Sequence, residues 1–151
     1  MTKGFPLRFL EDNSEAVNYT EADMPIRSVI SHQEDYPTLS VVNHWHNDLE
    51  FSYVIKGHMM YSVNGETAEL NEGDMIFVNS ARLHYGYWDK IEECEFLCVL
   101  FGIEILSAVP DKLIQTIVRL RIHYVMLNLD HLTLFCTNQG CCMVAVTEFV
   151  L

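Results

Sequence analysis

The sequence predicts an all-β domain, a sandwich or barrel, followed by a C-terminal helical extension. Three observations carry that expectation. From Tyr36 to about Phe101, short runs rich in Val, Ile, Phe and Tyr alternate with clusters of Gly, Asn, Asp and Glu, the pattern of strands joined by tight turns. The pair Asn64-Gly65 stands between two such runs, where a two-residue type I′ turn requires positive φ at both central positions. After Phe101 the apolar residues recur at intervals of three and four instead of two.

Taken in order, residues 1–35 are expected to form an N-terminal arm and first strand, residues 36–105 the β-barrel, and residues 106–151 the extension. Strands are expected near Leu39–His46, Glu50–Lys56, His58–Val63, Thr67–Leu70, Asp74–Val78, His84–Trp88 and Glu95–Phe101. Gly57 and the run Asn71-Glu72-Gly73-Asp74 punctuate them. A helix of roughly Pro110–Leu127 follows from Pro110 in a first turn, Asp111 near the amide end, and the spacing of Leu113, Ile114, Ile117, Val118, Ile122, Val125 and Met126. Its broad apolar face suits packing on the barrel or against a second subunit. The apolar end, Phe149-Val150-Leu151, reads as an element cut short.

Composition narrows the function. Of 151 residues, 50% are apolar and 20% charged, which fits one globular domain. Asp and Glu number 21 against 9 Lys and Arg, a formal charge of −12 that repels phosphate backbones, so nucleic acid is not an expected partner of this chain alone. Five cysteines, an odd number without paired CxxC motifs, argue against a disulfide scaffold. No apolar run of signal-peptide or membrane-span length lies near the amino terminus, and a cytoplasmic protein without a membrane partner is the expectation.

One constellation carries chemistry. His44-Trp45-His46 places two imidazoles two residues apart on one side of a strand, Asn47-Asp48 turns the chain, and Glu50 opens the next strand. A third imidazole, His84, opens a strand 34 residues beyond Glu50. If the sheet curls so that these strands neighbour one another, three nitrogens and a carboxylate converge. That is a ligand set for one divalent transition metal, Mn, Fe, Ni or Zn, with positions left open for water or substrate. The alternative is a metal-free cavity in which the histidines are hydrogen-bonded lining residues and Glu50 pairs with Arg82 or a histidine. Tyr53, Tyr61, Arg82, Tyr85 and Trp88 are candidate ligand-binding residues around it, although strand aromatics more often serve the core.

The run His44-x-His46-x3-Glu50-x6-Gly57 resembles the first motif of the cupin superfamily, with all four marked positions filled. The second motif matches at Gly73 and His84 but has Asn79 where the family usually has proline, Ala81 where it has glycine, and Trp88 where it often has asparagine. The resemblance spans about residues 30–101 and implies a jelly-roll barrel, the double-stranded β-helix. In finer wording, Leu49-Glu50-Phe51-Ser52-Tyr53-Val54-Ile55-Lys56-Gly57, Val63-Asn64-Gly65 and Leu70-Asn71-Glu72-Gly73-Asp74-Met75-Ile76-Phe77-Val78-Asn79 are similar to the N-terminal effector-binding and dimerisation domain of AraC-type transcription regulators. That likeness implies a small-molecule effector, sugars among the candidates, a homodimer, and DNA contact through a C-terminal domain that this chain does not contain.

Two function classes follow. The first is the sensing and dimerisation domain of an AraC-type regulator. The second is a small metal-dependent cupin enzyme, an oxygenase, isomerase or decarboxylase, with Tyr53, Tyr85 or Arg82 orienting substrate. Because no general base stands beside the ligand set in the sequence, the balance at this stage leans away from an enzyme and names no catalytic residue.

Overall fold

The computed structural model describes residues 7–19 and 24–108 and, beyond them, three strands, Tyr124–Asn128, Leu132–Cys136 and Cys142–Val146. In chain order the strands are β1 (Ile26–His32), β2 (Leu49–Lys56), β3 (His58–Val63), β4 (Glu66–Asn71), β5 (Asp74–Val78), β6 (His84–Tyr87), β7 (Glu95–Phe101), β8 (Tyr124–Asn128), β9 (Leu132–Cys136) and β10 (Cys142–Val146). One sheet runs β1-β7-β2-β5-β8 and a second β4-β3-β6, while β9 and β10 form a separate antiparallel pair.

Residue alternation explains how the two larger sheets face their core. Along β2, Glu50, Ser52 and Val54 are buried while Phe51, Tyr53 and Ile55 on the other face are half-exposed. On that outer face Phe51 meets Phe77 and Phe101 at ring-centroid distances of 5.0 and 5.7 Å, cross-strand aromatic pairs that hold the β5-β2-β7 register. Inside, Val54, Met59, Val63, Leu70, Ile76, Val78, Trp88 and Phe96 form one buried cluster drawn from both sheets. Each such side chain contributes about 1.5–3 kcal/mol by leaving water.

Two corrections to the expected architecture follow. The ladders do not close into a barrel: among the described residues the backbone pairing stops at two open sheets. The chain changes sheet at Gly57, just past an irregularity in the β2–β7 register between Val54 and Lys56, and again at the turn into β5, so its ladders end where a barrel would have continued them. The helical extension is also replaced. Tyr124–Leu127, expected as the last turn of the helix, belongs to β8, which pairs antiparallel with β5 from Asp74↔Asn128 to Val78↔Tyr124. A continuous apolar run such as Tyr-Val-Met-Leu suits a strand or a helix equally by period, and the open edge of β5 decides between them. Past Ala108 the described residues are all strand, and the rest of the expected helix lies outside the described residues.

Leu39–His46, expected as a strand, is held by isolated bridges instead, Ser40↔Tyr87 and His44↔His84, along the free edge of β6. Leu39 itself has φ of 54°, which a regular strand does not accommodate. The Asn64-Gly65 turn has the expected geometry, with φ of 50° and 89°.

Gly57 answers to two constraints at once. Its φ is +81°, and a Cβ there would lie 2.2 Å from the carbonyl oxygen of Glu93. Gly57→Ala is therefore expected to destabilise the fold by about 1–3 kcal/mol. Chemical denaturation checks this, and an unchanged unfolding midpoint would refute the close approach.

Candidate metal centre

Four buried side chains meet where the two sheets face one another. Glu50 comes from β2 in the larger sheet and His84 from β6 in the smaller one, while His44 and His46 come from the segment bridged to β6. One donor atom from each of the four lies within 4.8 Å of the others, and all four residues are buried. The sequence expectation that these residues share one point is met.

Backbone carbonyls set the direction of every imidazole. His44 Nδ1 lies 2.6 Å from the Val42 oxygen, His46 Nδ1 3.1 Å from that of Asp48, and His84 Nδ1 2.7 Å from that of Arg82. A carbonyl oxygen only accepts, so each Nδ1 carries the proton and donates it, which leaves Nε2 as the free lone pair in the neutral ring. This is the outer-shell arrangement that orients metal-binding histidines.

Those Nε2 atoms face a carboxylate. His46 Nε2 and His84 Nε2 lie 3.1 and 3.2 Å from Glu50 Oε2. A lone pair against a carboxylate oxygen is repulsive unless a proton or a cation lies between them. The other oxygen of Glu50 is occupied, accepting from Ser52 Oγ at 2.7 Å and the Tyr61 hydroxyl at 2.6 Å. The donor set therefore fits one divalent transition ion: three imidazole nitrogens and one carboxylate oxygen, each already oriented.

Electrostatics in the metal-free chain agree. Burial pushes the His44 imidazole down, with the neighbouring His84 adding to it, to about 4, so His44 is neutral near pH 7. Burial acts against a charge on His46 as well, but the hydrogen bond to Glu50 and the charge of Glu50 outweigh it and raise His46 above its ordinary 6.5. Burial likewise disfavours the Glu50 carboxylate, yet His84 and then His46 hold it well below its usual range. The Tyr61 hydroxyl is driven well above its usual value by burial and then by the charge of Glu50, which keeps it a donor.

The other expected ligand-binding residues are more dispersed. Tyr61 and Tyr85 line a cavity beside His44 and Glu50, with Tyr61 also orienting Glu50. Tyr53 lies on the face of β2 opposite Glu50. Arg82 supplies the carbonyl that anchors His84, and Trp88 sits in the apolar cluster against Tyr36 and Phe96. Sequence reasoning missed Glu15 and Arg27, a buried pair at 2.8 Å lining the same cavity, with Glu15 Oε2 3.5 Å from His44 Nε2. No short spacing joins them to the histidine motif, so only the folded arm and β1 bring them there.

This gathering of buried donors also corrects the leaning away from an enzyme. Four oriented ligands form a centre capable of holding a catalytic ion, and a carboxylate that the sequence did not place, Glu15, stands beside it.

A buried three-histidine, one-carboxylate cluster between two facing β-sheets defines a β-sandwich whose interior is capable of coordinating a metal ion. Residues 32–100 match the family model for the cupin domain, and this segment is a cupin-superfamily domain. Among curated proteins, the chain is 34% identical over 56 residues to the uncharacterized HTH-type transcriptional regulator YdeC of Bacillus subtilis strain 168, covering 37% of this chain and 19% of that protein. The chain thus spans about a fifth of the length of that relative. Among solved structures, the cupin 2 conserved barrel domain protein of Salinispora arenicola CNS-205 is similar with a TM-score of 0.49 at 14% identity, over 62% of this chain and 76% of that one. The plu4264 protein of Photorhabdus luminescens is similar with a TM-score of 0.49 at 18% identity, over 78% and 92%.

Proposed function

We propose that this chain is a small metal-dependent cupin enzyme of the oxygenase, isomerase or decarboxylase kind, with His44, His46, Glu50 and His84 holding one divalent transition ion. The observation that carries the reading is the facing of His46 and His84 Nε2 onto Glu50 Oε2 while all three Nδ1 atoms are tied to backbone carbonyls. When bound, such an ion supplies Lewis-acid polarisation of a substrate oxygen. The chain's own residues do the rest. Ser52 and Tyr61 fix the carboxylate of Glu50, the three carbonyls fix the rings, and Met59, Phe96 and Leu100 supply apolar walls of the adjoining cavity.

The test begins with chelator-stripped protein titrated separately with Mn, Fe, Ni and Zn salts. One ion per chain is expected, followed by metal-dependent oxygen consumption or carbon dioxide release across a panel of small acids and sugars. Failure to retain a stoichiometric quantity of any of the four would overturn the reading.

A second reading rests on the 56-residue likeness to an HTH-type transcriptional regulator. In it the cavity takes a small-molecule effector, the domain forms a homodimer in the cytoplasm, and an attached C-terminal domain of AraC type holds DNA. Ligand-dependent change in dimerisation of the purified chain, in the absence of turnover, would favour this reading over the first.

A further inference from the structure

The cavity beside the metal centre contains a buried ion pair, Arg27–Glu15, whose carboxylate also reaches His44 Nε2 at 3.5 Å but is not one of the four clustered ligands. Arg27 belongs to the inward-facing set of β1, and Glu15 is carried in by the arm, whose backbone N–H donates to the Trp45 carbonyl at 2.8 Å. Their side chains are 7% and 1% exposed, and one guanidinium nitrogen of Arg27 lies 2.8 Å from Glu15 Oε1. Val29, Phe96 and Leu100 are the apolar walls around them. A buried pair of this kind returns little stability over an apolar pair of the same volume, because both charges lose their hydration. Its position points to recognition of a ligand.

Charge balance selects that ligand. A divalent ion in the cluster adds two positive charges, Arg27 adds one, and Glu15 and Glu50 remove one each, so the loaded cavity holds a single uncompensated positive charge among apolar walls. A monoanion neutralises it and a neutral molecule does not. The cavity volume of about 40 Å³ limits the occupant to roughly three water-sized groups. We propose that the cavity takes a small monocarboxylate beside the metal centre and the Arg27–Glu15 pair, and that Arg27 is the residue that selects for its negative charge. This deepens the proposed function and rests on the metal centre being loaded.

The experiment uses the full chain loaded with cobalt or manganese, its metal content measured before any acid is added. Formate and acetate are then titrated against formamide and acetamide, with binding read by calorimetry and by the cobalt absorption spectrum. The acids are expected to bind roughly 30-fold or more tightly than the amides. Arg27→Gln is expected to abolish most of that preference with the metal content unchanged. Glu15→Gln, which leaves Arg27 without its counter-charge, is expected to strengthen acid binding. These opposite signs separate a change of charge from simple loss of fold, and Glu15→Gln still decides the matter if Arg27→Gln does not fold. Equal binding of acids and amides by the loaded wild-type chain, or acid binding weakened by Glu15→Gln, would overturn the proposal. A chain that takes up no metal would instead remove the metal centre itself, and the proposal with it.

Discussion

Glu50→Gln is expected to lower affinity for a divalent transition ion by about 100-fold or more while leaving the chain folded. Loss of a residue that only orients a ligand costs about 10–100-fold, and Glu50 is the one anionic ligand in the cluster, so its neutralisation belongs at or beyond the upper end. The shape of the side chain is retained. Ser52 and Tyr61 hydroxyls can still donate to the amide oxygen, so the buried hydrogen bonds at 2.7 and 2.6 Å survive in kind. Competitive titration against a chromophoric chelator measures the affinity, and circular dichroism reports the fold. A Glu50→Gln protein that binds metal as tightly as the wild type would remove Glu50 from the ligand set.

Metal affinity is expected to climb as pH rises through the neutral range and then to level off. His44, held at about 4, presents a lone pair at every pH above that value and contributes no proton. His46, raised above 6.5 by Glu50 against the effect of burial, must surrender a proton before its Nε2 can bind an ion. Below the His46 value each unit of acidification therefore weakens binding about tenfold, and above it the dependence ceases. Calorimetry at neutral pH in buffers of different ionisation heats should detect a proton released on metal uptake. A flat affinity from pH 5.5 to 8.5 would contradict the assignment.

The metal-free chain has the opposite preference on its alkaline side. A raised His46 stabilises the fold fully below its unfolded value near 6.5, and that contribution is lost as pH rises through the folded value. A depressed Glu50 contributes above its unfolded value near 4.5, and that contribution is lost as pH falls through the folded value. Between about 4.5 and 6.5 both contributions are present.

Much of the candidate site was legible because its residues fall in one short motif. His44, His46 and Glu50 are close in sequence, and the two-residue period places the imidazoles together without tertiary information. Strands β2 to β7 were legible for similar reasons, being short runs separated by turn residues, with glycines at Gly57, Gly65 and Gly73 marking the connections from β2 to β5. The position of β1 was hidden by inverted alternation: Arg27 and Ser31 point inward while Ile30 is exposed, so polarity misreports which face is buried. Glu15 and Arg27 were invisible because their pairing depends on the arm crossing to β1. The end of the expected helix failed where Tyr124–Asn128 found an open strand edge, a tertiary hydrogen-bonding demand that local period does not encode.

The three carbonyl anchors at His44, His46 and His84 have a kinetic corollary. The rotational freedom of these rings is surrendered when the chain folds, so an arriving ion finds its partners stationary. Capture then proceeds at the pace at which the ion sheds its own hydration water, and two metals that bind equally tightly can still load at very different speeds.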